Sequence, residues 1–142
     1  QAKEKTLLGY HDIRVGNDLI AMLQSSATPL NLQTQGRIYV IKIKAGETRL
    51  DPLPHIDSRA AGGAYNSASS SITGNVGDTP GGLSSTMMNH LTFRTAINTS
   101  ELSEISIVEV FYHYRPITPL PNFIQNMFPH NGGILIGSRA IF

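Results

Sequence analysis

The chain has 142 residues, the size of one domain, and it has no cysteine, which removes disulfide scaffolds, thiol catalysis, cysteine-based zinc sites and iron–sulfur clusters. Its 11 Lys and Arg stand against 10 Asp and Glu, so no uniform field gathers phosphates or anionic lipids, and nucleic acid is not an expected partner. Charged residues make up 15%, below the usual figure of about a quarter. Ser, Thr, Asn, Gln and Gly take their place, which suits an exported domain.

No run reaches the ~18 to 20 apolar residues of a membrane span, and no signal peptide opens the chain. Gln1 stands where a methionine would, which implies that something upstream was removed, by processing or by trimming.

From Ala2 to Ser26 the pattern is helical: Leu8, Val15, Leu19, Met22 and Leu23 fall near one face, as in an amphipathic helix. Gly16-Asn17-Asp18 is expected to interrupt it, since Gly weakens a helix interior and Asn or Asp can cap a fresh start. One kinked helix and two short ones are both compatible. Thr28-Pro29 ends the stretch, because the residue before proline is pushed out of the α region.

Arg37 to Lys44 (RIYVIKIK) alternates as a strand. Tyr39, Ile41 and Ile43 lie on one face, and Ile38, Val40, Lys42 and Lys44 on the other. The passage from apolar to cationic on that second face predicts a far end that reaches solvent. A turn is expected at Ala45-Gly46-Glu47, with Thr48 to Leu50 beginning a second strand that Asp51-Pro52 and Pro54 stop. Ala60 to Ser85 is a run of small and polar residues and reads as a long loop, either a mobile linker or a binding loop. Met87 to Ala96 fits a strand or a helical turn, and Ser100 to Glu104 a short turn.

Ile105 to Arg115 (ISIVEVFYHYR) is the strongest strand signal. It is apolar on both faces and therefore expected at the centre of a sheet, covered on both sides. Pro116, Pro119 and Pro121 break the sheet, Asn122 to Phe128 fits a short amphipathic turn, and Asn131-Gly132-Gly133 turns the chain into a last strand, Ile134 to Phe142. A helix followed by mostly consecutive strands is the α+β pattern. The expected fold is one domain over residues 1–142: a helix at 1–28 packed on a mainly antiparallel sheet at 36–142, with the loop at 60–85.

Chemistry-bearing constellations are few. Asp51, His55 and Asp57 (DPLPHID) could offer a carboxylate and imidazole to a cation if a loop gathered them, but the strictness of ligand geometry favours an ordinary surface turn. Glu109 and His113 share a strand face yet lie roughly 13 Å apart at ~3.3 Å per residue, too far for an acid–base pair. Glu109, flanked by valines, is expected to bond a backbone end or an Arg. The loop glycines form no phosphate-binding fingerprint and the serines no GxSxG elbow. Neither a catalytic set nor a cofactor or metal is therefore assigned. Asn98-Thr99-Ser100 is a sequon of a kind common by chance. Tyr112 and Tyr114 read as core residues with hydroxyls at the rim.

Taken together, VEVFYHYRPITP and ILIGSRAIF resemble the TadE-like family, the minor pseudopilins of the bacterial tight-adherence (Tad, or Flp) pilus, a type IVc system. In that family a strand of the form V-x-V-x-Y-x-Y-R-P-x-x-P leads through a loop to a final strand. Val108, Val110, Tyr112, Tyr114, Arg115, Pro116 and Pro119 match it, and GRIYVIKIKAG (Gly36 to Gly46) is similar to the family's earlier strand. The apolar membrane-anchoring helix of the family is missing, and the loop at 60–85 has no counterpart.

The resemblance implies a pilin-like domain on a helical stalk. It would be anchored to the inner membrane through a missing N-terminal helix, periplasmic at first and then extracellular in the pilus. Its partners would be other pilins and pseudopilins and the inner-membrane assembly platform, and its task to initiate or cap a filament used in adhesion. On helix geometry rather than on a family motif, Leu8, Val15, Leu19 and Met22, together with the long loop, are the expected subunit contacts. The alternatives are an adhesive or glycan-binding extracellular domain and, further off, a hydrolase or metal-dependent enzyme using His55, Asp57 or Glu109.

Overall fold

The computed structural model describes residues 13–115 and 133–142. The N-terminal part of the expected helix, the prolines after Arg115, the Asn122 to Phe128 turn and Asn131-Gly132 lie outside the described residues. In chain order the elements are α1 (Ile13–Ser26), α2 (Leu32–Gln35), β1 (Gly36–Lys44), β2 (His55–Gly62), α3 (Ser85–Leu91), β3 (Glu104–Tyr114) and β4 (Ile134–Ile141). The strands form one antiparallel sheet in the order β2-β1-β3-β4. The fold is thus α+β, an N-terminal helix packed on a four-stranded antiparallel sheet.

Gly16-Asn17-Asp18 does not break α1. A Cβ at position 16 would stand 2.7 Å from Ala60 Cβ, so glycine is there to let the helix approach β2, and packing outweighs its poor propensity. Gly62 repeats the device, with Ile20 Cγ2 at 2.4 Å from where its Cβ would be. α2 was not legible in the sequence. Asn31 caps it, its side chain accepting from the Thr34 N–H at 3.2 Å.

Because β1 and β3 are the inner strands and apolar on both faces, the sheet needs two covers. On one face Ile38, Val40, Ala60 and Val108 pack with Leu19, Ile20 and Leu32 of the helices. On the other, Tyr39, Ile41, Ile43, Ile56, Ile105 and Ile107 pack with Ile72 of the long connection and Leu91 of α3. Met87 and Leu83 add to that side, and Ser84 caps α3 through the Met87 N–H. The ambiguity at 87–96 resolves to a helix through Leu91.

The cationic face of β1 reaches solvent only in part and only at its end, where the Lys44 side chain is 29% exposed. Lys42 is buried, its ammonium 3.0 Å from Glu104 Oε2 at an angle outside hydrogen-bond geometry. Lys44 pairs more loosely with Asp57 at 3.7 Å. Between Lys42 and Ile43 the register with β2 slips from Ser58 to Ile56, leaving Asp57 as the extra residue of a bulge.

Nor does a strand begin at Thr48. The Thr48 hydroxyl accepts from the Asp51 N–H, and the Glu47 and Thr48 N–H groups donate to Asp51 O, closing a turn before β2 starts at His55. Leu50 at its tip is 97% exposed. Leu50→Ser should therefore leave the unfolding free energy from urea titration within about 0.5 kcal/mol of the parent.

Candidate assembly interface

The two sheet edges are treated differently. β2 is capped at one of its outward residues, Ile56, whose N–H donates to Asp78 O at 2.9 Å and whose carbonyl accepts from the Gly77 N–H at 2.8 Å, while Arg59 and Ala61 also face outward by the β1–β2 register. Beyond β4 no strand follows among the described residues. Ser106 and Phe142 exchange both backbone hydrogen bonds, and the β3–β4 register runs without a slip. By the antiparallel alternation, even-numbered β4 residues bond to β3, whereas Leu135, Gly137, Arg139 and Ile141 turn their N–H and C=O groups outward.

Beside this edge, on the α1 face, lies an apolar groove of about 370 Å³ lined by Leu23, Ala27, Leu30, Leu32, Val110, Tyr112 and Ile136, among others. Leu30, Ile134 and Ile136 are exposed, and the hydroxyl of Tyr112, one of the lining residues, donates to Gln35 Oε1 at 2.8 Å. The groove exists because α1 stops at Ser26 and covers β1 and β2 rather than β4. Among the described residues, no helix covers the even-numbered apolar residues of β4.

The residues chosen from helix periodicity stand elsewhere. Leu19 is fully buried in the helix–sheet core and Met22 is partly buried against it. That stripe serves the domain's own packing, and Leu19 is not accessible to a neighbouring subunit, which corrects the expectation for it. Leu8 lies outside the described residues, as does the side chain of Val15. The alternating β4 pattern was the signal available in the sequence for the groove. Which face of it would remain uncovered was not.

The long connection is no slack tether, and its first residues, Ala60 to Gly62, belong to β2. Glu109, buried on β3, accepts hydrogen bonds from the Ser70 and Ser71 hydroxyls and from the Ser71 N–H at 3.2 Å. The expected partner type, a backbone end or an Arg, was thus half right. Tyr39 Oη donates to Ala68 O at 2.7 Å, Arg37 to Gly63 O at 2.9 Å, and Arg59 to Ile72 O and Gly74 O at 2.9 and 3.1 Å. Tyr65 stacks on buried His113, with ring centroids 4.5 Å apart. Glu109 and His113, although on one face, are thereby engaged with different parts of the connection.

Among the described residues no three His, Asp or Glu side chains converge as metal ligands would. His55 and Asp57 sit on β2 near the Lys44 end of the sheet, whereas Glu109 pairs in register with Tyr39. Five residues along β1 separate the two places, roughly 16 Å at ~3.3 Å per residue, so these groups do not form one site. An exposed cluster joins Glu101 to His90 and to Arg94 at 2.8 Å. The hydrogen bond with His90, helped by the Arg94 charge, holds the Glu101 carboxyl below the usual range. Its small contribution to stability is present at neutral pH and lost as pH falls through that lowered value.

Fold and edge together define a helix-on-sheet α+β domain whose β4 edge carries no further strand among the described residues. Comparison with family models, with curated proteins and with solved structures found no match.

Proposed function

We propose that this domain is a structural assembly subunit, a minor pilin or pseudopilin that helps to initiate or cap a Tad-type pilus in the bacterial envelope. The observation that carries the reading is the open β4 edge beside an apolar groove, a surface suited to another protein rather than to a small polar substrate. Val108, Val110, Tyr112, Tyr114 and Arg115, the family-like residues, lie on β3 and immediately after it, beside that edge. The resemblance and the geometry therefore point at the same part of the molecule. The helix-on-sheet architecture is compatible with a stalked filament subunit, as fold-level analogy.

The test is a pull-down from envelope extracts with the domain joined to its native upstream segment. Co-purification of other pilins and of the inner-membrane platform is the expected result. Recovery of neither, from a chain that stays unanchored, would overturn the assembly reading and turn attention to an adhesive role.

A further inference from the structure

We infer that the β4 edge takes up an extended segment of a partner protein in which apolar and acidic side chains alternate. This deepens the assembly reading and rests on it only in taking the partner to be another protein subunit. Three observations converge. The outward N–H and C=O groups of Leu135, Gly137, Arg139 and Ile141 meet no further strand among the described residues and form a template for one more. An added strand places alternate side chains on opposite faces of the sheet. On the α1 face these would lie beside Ile134, Ile136 and the groove, which calls for apolar groups.

On the opposite face they would lie beside Leu135, Gly137, Arg139 and Ile141, among which Arg139 carries the charge. Histidine aside, Arg115 and Arg139 are the only charged side chains in the stretches that frame the edge and groove, residues 20–35, 110–115 and 133–142. Both are exposed. Glu109, the carboxylate opposite Arg139 in the β3–β4 register, is engaged by Ser70 and Ser71. The edge therefore offers cationic charge with no acidic side chain in those stretches to balance it, and a strand bearing carboxylates on that face supplies the complement.

The probe is an end-blocked nonapeptide of alternating valine and glutamate, with a valine/lysine peptide as control, added to the isotopically labelled chain and followed by amide hydrogen exchange. Expected are fast exchange of the Leu135, Gly137, Arg139 and Ile141 amides in the free protein and their protection by the valine/glutamate peptide. Affinity for the lysine control should be at least about tenfold weaker. Gly137→Pro removes an outward N–H while keeping the hydrogen bonds to β3, although its Cβ would stand 3.1 Å from the Phe111 ring, and in the folded variant protection should be lost. Should that variant not fold, Arg139→Glu serves instead, and it should reverse the preference between the peptides.

No protection at millimolar peptide, equal affinity for both peptides, or protection confined to other segments would each overturn the inference. So would β4 amides already protected by self-association that the peptide does not displace. Failure of the pull-down with success here would sink the pilus reading alone, and the reverse would sink only strand addition.

Discussion

Glu109→Ala is expected to lower the unfolding free energy by about 3 kcal/mol, because it strands buried donors and not because it removes one contact. The carboxylate is 2% exposed, and the Ser70 and Ser71 hydroxyls and the Ser71 N–H converge on it. Without it those groups must either stay unpaired beside the sheet or pull the connection away. The second course uncovers Ile72 and Ala68, which are otherwise 0% and 1% exposed. Urea unfolding should show the lowered midpoint, and amide exchange should accelerate across residues 64–83 ahead of the strands. Glu109→Gln keeps the shape and one acceptor and should cost less than the alanine. An alanine variant within about 0.5 kcal/mol of the parent would mean that the other contacts of the connection, those of Tyr39, Arg37 and Arg59 among them, hold it without the carboxylate.

Leu19→Ala should be comparably damaging, at about 2–5 kcal/mol, the range for emptying a buried leucine site. Leu19 is fully buried among Ile38, Val40, Ala60 and Val108, at the point where Gly16 and Gly62 bring helix and strand closest. Met22, only partly buried in the same cluster, should cost distinctly less as alanine. Thermal and chemical unfolding of the two variants would decide whether the stripe works inside the domain. Unchanged stability for Leu19→Ala would return that residue to the list of surface contacts.

These two sites also show where local reasoning succeeds and fails. β1 and β3 were legible to within a residue, because period-two alternation of β-branched and aromatic residues is a property of the strand itself. The central place of β3 followed from apolar residues on both its faces. The helical stripe was legible as apolar, but apolarity does not say whether it faces the domain's own sheet or a neighbour, and Leu19 turned out to face the sheet. Gly16 read as a helix breaker, since the sequence carries its propensity but not the Ala60 methyl that requires it.

The connection after β2 is irregular from 63 to 84, as its composition implies, but its anchorage to the sheet is not legible in the sequence. Its Ser, Gly and Ala residues carry no periodicity, and what orders them is a carboxylate nearly forty positions away together with three side chains from β1 and β2. The open edge was hidden for a similar reason, since β4 reads as a strand whether or not another strand follows it.

The sequence by itself determined the α+β class, the helix and strand periods, the weakly charged surface and the absence of thiol chemistry, because each depends on composition or on neighbours a few positions apart. Tertiary structure alone decided that the polar connection is a third layer, that Lys42 is buried, that Leu19 belongs to the core, and that β4 borders an apolar groove and meets no further strand among the described residues. Those outcomes depend on which distant segments meet, and hydrogen bonding and burial across such separations leave no periodic mark in the chain.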